Sequence, residues 1–280
     1  MKTTNFTIDK IHLRAQDEAK MRHFYETILR FIPRQLNANT VEYAVSPFAE
    51  AVLQLTFDLE AETEGRSAGL YHYAILMQER KTLAAVLQQL IDNNYPLIGG
   101  GDHLVSEAIY LEDPEGNGIE LYYDRPATEW QWQNGEVLMD TLPVDIDELL
   151  THAYPWEGFP DSTHIGHLHF YGSNISDGDQ LFINILGMDM TAEMGAHAHF
   201  YSNNHYHHHF ALNTWKGSGI PLHNPAAKGL IAWQISVNAD YFALIAENLI
   251  KNNRTHENDG NTIKTRDAVG SELIIKNTSA

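Results

Sequence analysis

Apolar and polar positions along the 280-residue chain fall into a short cycle: an alternating stretch, a helically spaced stretch, then more extended segments. Ile8 to Ala15 alternates with the period of a strand. Glu18 to Phe31 follows with apolar residues at helical spacing (Met21, Phe24, Tyr25, Ile28, Leu29). Val41 to Val45 and Ala51 to Phe57 then predict strands. A second cycle starts at Gly69 with the strand LYHYAILM, continues through a helix over Lys81 to Asn93, and closes with AIYLED and IELYYD. The turn Asp113-Pro114-Glu115-Gly116-Asn117-Gly118 joins those last two strands. The run Gly99-Gly100-Gly101 predicts a turn; no Lys-Ser/Thr follows it, so it is no phosphate loop.

Residues 125 to 161 break the rhythm with prolines, Trp130, Trp132 and the acidic DIDELL segment, and predict a connector. A third cycle begins at Ile165 with GHLHFYG, has a helix around Gln180 to Leu186, and ends in the strands AHAHFYS and HHHFALNTW. A fourth begins at Gly229 with LIAWQISV, has a helix at Tyr241 to Lys251, and closes near SELIIKN. KIHLRA aligns with IGHLHF, placing His12 opposite His167, and GLYHYAILM aligns with GLIAWQISV, placing Gly69 opposite Gly229. The expected fold class is α+β, with four βαβββ units in two domains. Residues 1–135 hold units 1 and 2, 136–161 the connector, and 162–280 units 3 and 4.

Composition narrows the function. With 18 basic and 37 acidic side chains the formal charge is −19, which argues against a nucleic-acid partner. No apolar run of about 18 residues predicts a membrane span, and MKTTNFTIDKIHLRA lacks the apolar core of a signal peptide. The expected compartment is the cytoplasm. Zero cysteine removes disulfides, thiolate nucleophiles and zinc–thiolate sites. Trp130, Trp132 and Trp156 in the connector read as packing residues.

Most of the 16 histidines read as ordinary packed or hydrogen-bonded side chains. Three ligand-type residues stand out by placement. His72 lies mid-strand in LYHYAILM, Glu120 is an acid inside the apolar strand IELYY, and His167 lies inside IGHLHFYG. An unpartnered carboxylate in such a strand would carry a heavy desolvation cost. Two imidazoles and one carboxylate on rigid strands make a set that leaves three coordination positions open, and the ligand types favour Fe(II), with Mn(II) or another dication as alternatives.

AIYLEDPEGNGIELYYD, with the His72 strand before it, resembles the vicinal oxygen chelate superfamily and within it the type I extradiol (catechol 2,3-) dioxygenases. In that family a tyrosine precedes the carboxylate ligand by ten residues across a D-P-x-G-N turn, the relation of Tyr110 to Glu120 here. His167-Leu168-His169-Phe170-Tyr171-Gly172 is similar to the family's first metal-histidine strand, and His209-Phe210-Ala211-Leu212 to its acid–base strand. The resemblance implies a metal set of His72, Glu120 and His167, with His209 as acid–base residue and His208 as its alternative. Tyr110 would be a neutral donor to a metal-side substrate oxygen, and His103, just ahead of that strand in GDHLVSEAIY, reads either as a pocket residue or as a plain surface-loop histidine.

One departure follows. The fourth unit has Ala232 where the second has His72, and Ile274 where the second has Glu120. Glu272 stands two residues away and is expected to face the other side of its strand. Pairing units 1 and 2 would give His12, His72 and Glu120; pairing units 2 and 3 gives His167, His72 and Glu120. The second is favoured because it brings in the HHHFALNTW strand. The resemblance then implies an Fe(II)-dependent extradiol ring-cleaving dioxygenase acting on a small aromatic diol and O2. The alternatives are a glyoxalase-like metal-dependent isomerase or lyase, and a non-catalytic binding or resistance protein on the same fold. Edge strands of such sheets often pair, so a homo-oligomer is compatible with the chain.

Overall fold

The computed structural model describes residues 6–278. Residues 1–5, the start of the stretch read above for a signal peptide, lie outside the described residues. Each of the four cycles is a strand, a helix and three strands. The first runs through Phe6–Ala15, Glu18–Arg22 continued by His23–Ile28, Ile32–Asn37, Thr40–Ala44 and Ala51–Phe57. The second is Gly69–Met77, Arg80–Asp92, Gly99–Asp102, Ser106–Glu112 and Gly118–Asp124. The third is His164–Tyr171, Ile175–Gly178 continued by Asp179–Ile185, Asp189–Glu193, Ala198–Ser202 and Phe210–Asn213. The fourth is Gly229–Val237, Ala239–Lys251, His256–Asn258, Thr262–Arg266 and Glu272–Asn277. No helix among the described residues is long and apolar enough to cross a membrane.

The chain divides into two compact units interleaved in sequence. Among the described residues, one comprises Ala15–Glu60 and His72–Gly166; the other comprises the chain up to Arg14, Ala61–Tyr71 and the chain from His167 on. In the first, Ile32–Asn37, Thr40–Ala44 and Ala51–Phe57 form an antiparallel meander. Strand Gly69–Met77 lies parallel to Gly118–Asp124, which is followed outward by Ser106–Glu112 and Gly99–Asp102. Helix Arg80–Asp92 buries Leu83, Ala84, Leu87 and Leu90, residues three and four apart that share one face. The connector is tied to this unit: Arg80 reaches Glu107 and Glu148, Arg125 reaches Asp102 and Glu107, and Phe159 packs against Phe31 with Trp156 edge-on behind it.

In the second unit Phe6–Ala15 runs antiparallel to Gly229–Val237, which lies parallel to Glu272–Asn277. Strand His164–Tyr171 lies parallel to Phe210–Asn213, followed by Ala198–Ser202 and Asp189–Glu193. The histidine run 207–209 leads into its strand rather than lying within it.

Three expectations need correction. Gly99–Asp102 is a strand, not a turn: its partners are the Glu107–Tyr110 backbone groups, and the chain passes too close to Val144, Ile109 and His103 for side chains at Gly100 and Gly101. The helix expected through Phe31 is α-helical only over Glu18–Arg22 and then widens into a π-helical stretch. Glu272 does not face away from Ile274, because a two-residue step returns to the same side of a strand. It is instead exposed at the strand's start, opposite Ala232, while Ile274 pairs with Gln234 and occupies the register position that Glu120 holds against Ala74.

Candidate metal centre

The hairpin around Asp113 explains the ten-residue spacing of Tyr110 and Glu120. The Asp113 carboxylate accepts the backbone N–H groups of Glu115 and Asn117, the Asn117 side-chain amide and the Tyr25 hydroxyl. Gly116 takes a φ of 86°, which a side chain would disfavour. The turn so fixed pairs Glu112 with Gly118 and therefore Tyr110 directly with Glu120. Cross-strand partners project from the same face with their Cβ atoms about 5 Å apart. Burial raises the Asp113 carboxyl to about 6 despite these donors.

His72 and Glu120 are both buried, and Glu120 Oε2 lies 3.0 Å from His72 Nε2. His167 follows directly on Gly166, where a Cβ would run into the Tyr122 hydroxyl, so the chain entering His167 must be bare. His72, Glu120 and His167 each offer one ligand atom, and these atoms all lie within 4.8 Å of one another. This is the one such group among the described residues. His12 pairs with Ala232 across a strand and is outside it.

The donor set fits a first-row dication. Imidazole nitrogen and carboxylate oxygen bind such ions at about 2.0–2.2 Å, so two donors at right angles on one ion lie about 3 Å apart. The His72–Glu120 separation of 3.0 Å has that value. Two nitrogens and one oxygen make a three-ligand face that leaves further positions for other molecules.

Tyr110 and His103 stand beside His72. The Tyr110 ring centroid is 5.7 Å from that of His72, and its hydroxyl lies 2.7 Å from His103 Nε2. His103 Nδ1 lies 2.9 Å from the Asp140 carbonyl oxygen, which can only accept, so Nδ1 carries a proton. In the neutral ring Nε2 then accepts from Tyr110. In that tautomer the phenol turns its proton toward His103.

His208 and His209 face different surroundings. The His208 ring centroid is 4.2 Å from that of His167, and its Nδ1 lies 2.8 Å from Nδ1 of His207. His209 contacts Phe6, Tyr206 and the Ser202 hydroxyl. The histidine set against the candidate ligand is thus His208, the alternative of the pair. Two residues escaped the sequence reading. His207, fully buried behind His208, was hidden in a run of like residues, and Gly101, whose missing side chain admits the His103 ring, carries no chemical signal at all.

The family model described as Glyoxalase/Bleomycin resistance protein/Dioxygenase superfamily matches residues 7–121. A relative from Bacillus subtilis (strain 168), named catechol-2,3-dioxygenase, is 37% identical over 211 residues, 74% of each chain. Among solved structures, a provisionally named dioxygenase from Bacillus subtilis subsp. subtilis str. 168 superposes with a TM-score of 0.64 at 14% identity, covering 98% of this chain and 85% of its own. Glyoxalase I from Zea mays superposes with a TM-score of 0.60 at 11% identity, covering 99% and 94%. At these identities the structural likeness is one of fold, and the fold is the α+β vicinal oxygen chelate arrangement of repeated βαβββ units. By sequence and architecture together, the chain belongs to the glyoxalase/bleomycin resistance protein/dioxygenase superfamily.

Proposed function

We propose that this protein is an Fe(II)-dependent extradiol dioxygenase that opens the ring of a catechol-type diol with O2, with His72, Glu120 and His167 as the metal ligands. The observation that carries the reading is the buried two-histidine, one-carboxylate group with the Tyr110–His103 pair at its side. The relative named catechol-2,3-dioxygenase supports the same reaction class. A bound Fe(II) would supply Lewis acidity toward the diol and electron transfer toward O2.

The chain's own groups would manage the protons. Tyr110, its proton turned to His103, accepts a hydrogen bond from one diol hydroxyl; as that proton moves onto the phenol oxygen, the phenol's own proton passes to His103 Nε2. The imidazolium so formed keeps its Nδ1–H on the Asp140 carbonyl. His208 is the second acid–base group, its ring held between Phe200, His167 and His207. Burial of the three ligands keeps bulk water from competing for the diol. A glyoxalase-like reaction draws on a second carboxylate, and the candidate group has one.

The test is anaerobic loading with Fe(II), followed by catechol and 4-methylcatechol with O2. Stoichiometric O2 uptake and a coloured ring-opened product are expected. Turnover of methylglyoxal with a thiol, and none of the diols, would overturn the reading. His208→Ala is expected to lower kcat by roughly 100-fold or more with metal content retained.

A further inference from the structure

We propose that the compact unit built on Phe6–Ala15 and Gly229–Val237 carries a second binding site, separate from the candidate metal centre, for an uncharged planar ring bearing an –NH2 group beside an acceptor, as in an aromatic carboxamide. A cavity of about 430 Å³ opens there among Phe6, Thr7, Asn203, Tyr206, His209 and Ser236. That volume suits a single-ring molecule with substituents.

The polar lining is specific in what it offers. Asn203 is 9% exposed, and its side-chain oxygen has no hydrogen-bond partner. Its side-chain nitrogen has only a loose approach to the Tyr241 hydroxyl, whose own proton goes to the Leu186 carbonyl. A buried amide left in this state is costly, and an explanation by an absent ligand fits it. Thr7 and Ser236 both donate their hydroxyl protons to Asp9, at 2.7 and 2.6 Å, so their oxygens present lone pairs. Thr7, Ser236 and Asn203 together thus offer the cavity three acceptor oxygens and one amide donor, beside the Asn204 and Thr278 side chains at its border. A primary carboxamide supplies the complement: two N–H donors and one carbonyl acceptor.

The walls suit a flat ligand. The His209 ring meets Phe6 edge-on at 4.6 Å and lies along Tyr206 at 4.5 Å, so aromatic surfaces border the cavity. No Lys, Arg, Asp or Glu lines it, which favours an uncharged ligand. The loop that carries Asn203 and Tyr206 is held in an uncommon conformation, with Asn204 and His205 both at a φ of 57°. Non-glycine residues persist in that region when the surroundings hold them there, and such positions concentrate at ligand clamps.

Benzamide is the probe, followed by saturation-transfer NMR on the full chain and then by a crystal soaked with it. Saturable binding is expected, with the amide on Asn203 and the ring beside His209. Benzoate is expected to bind at least tenfold more weakly. Asn203→Leu should weaken benzamide at least tenfold, and Thr7→Val, which exchanges only the hydroxyl for a methyl group, should weaken it severalfold with an unchanged melting temperature. 4-Methylcatechol at saturating concentration should leave benzamide bound. No saturable binding, equal binding of benzoate, displacement by the diol, or full affinity in a folded Thr7→Val and Asn203→Leu would each overturn the site.

Discussion

At the scale of single residues, the most consequential groups near the candidate centre are those that position others. Gly101 has no side chain because a Cβ there would lie 2.9 Å from the His103 ring, which is itself pinned by Asp140 and Tyr110. Gly101→Ala should therefore push the imidazole off Tyr110 while leaving the strand intact. On the proposed diol cleavage, kcat/KM is expected to fall by roughly 10–100-fold, the scale of losing one proton-transfer partner. The loss should not add to that of His103→Ala in the double variant. Urea unfolding should show no matching loss of stability, since alanine is compatible with an extended strand. Asp113 makes a second residue-scale case. Its folded pKa of about 6 lies above the ordinary carboxylate value, so its stabilising protonated form is fully present below about pH 4 and is lost as the pH rises through 6. Relative to Asp113→Asn, the parent chain should lose about 2–3 kcal/mol between pH 4 and 7, read from urea midpoints at the two values.

At the scale of elements, the fourfold repeat is deeper than the letters suggest. The helices of the first and third cycles both widen into π-turns, at His23–Ile28 and Asp179–Ile185, and both leave through a left-handed residue, Arg30 or Gly187. The helices of the second and fourth are thirteen-residue α-helices that end in left-handed Asn94 and Asn253. Each α-helix sends one amide to its neighbour: Gln89 to the Ile28 carbonyl and Asn248 to the Ile185 carbonyl, a group that the π-widening leaves accessible. Asn248→Leu should cost about 1–2 kcal/mol in chemical denaturation, the penalty of a part-buried carbonyl without its donor. Order and type of most elements were legible from hydrophobic period. The π-turns were not, because Met21, Phe24, Tyr25, Ile28 and Leu29 share a face in either winding. The Gly99–Asp102 strand was not legible either, since glycine reads as a turn former when the close approach that excludes side chains is out of view.

At the scale of the whole molecule, the grouping of His72, Glu120 and His167 was legible because strand residues with unfavourable burial chemistry are few: an acid in IELYY and a histidine in LYHYAILM both demand a partner. What remained illegible was direction at the end of the third cycle. His208 and His209 are neighbours, so a one-residue shift in the lead-in to strand Phe210–Asn213 decides which of them meets His167, and no letter in the run HYHHHF sets that shift. The same sequence distance between ligands carries a thermodynamic consequence. His72, Glu120 and His167 lie far apart in the chain, and their ligand atoms come within 4.8 Å of one another only in the folded protein. An ion held by all three therefore binds the native state and barely binds the unfolded one, which adds RT ln(1 + [M]/Kd) to stability. With free ion at 1,000 times Kd this is about 4 kcal/mol, or on the order of 10 °C in melting temperature for a chain of this size. Anaerobic scanning calorimetry with Fe(II), or with Mn(II) in air, should show that increment in the parent chain and in His12→Ala. It should be absent from His72→Ala and from Glu120→Ala, and chelation should return the parent to its metal-free midpoint. An increment that survives in both ligand variants would mean that the ion is held elsewhere.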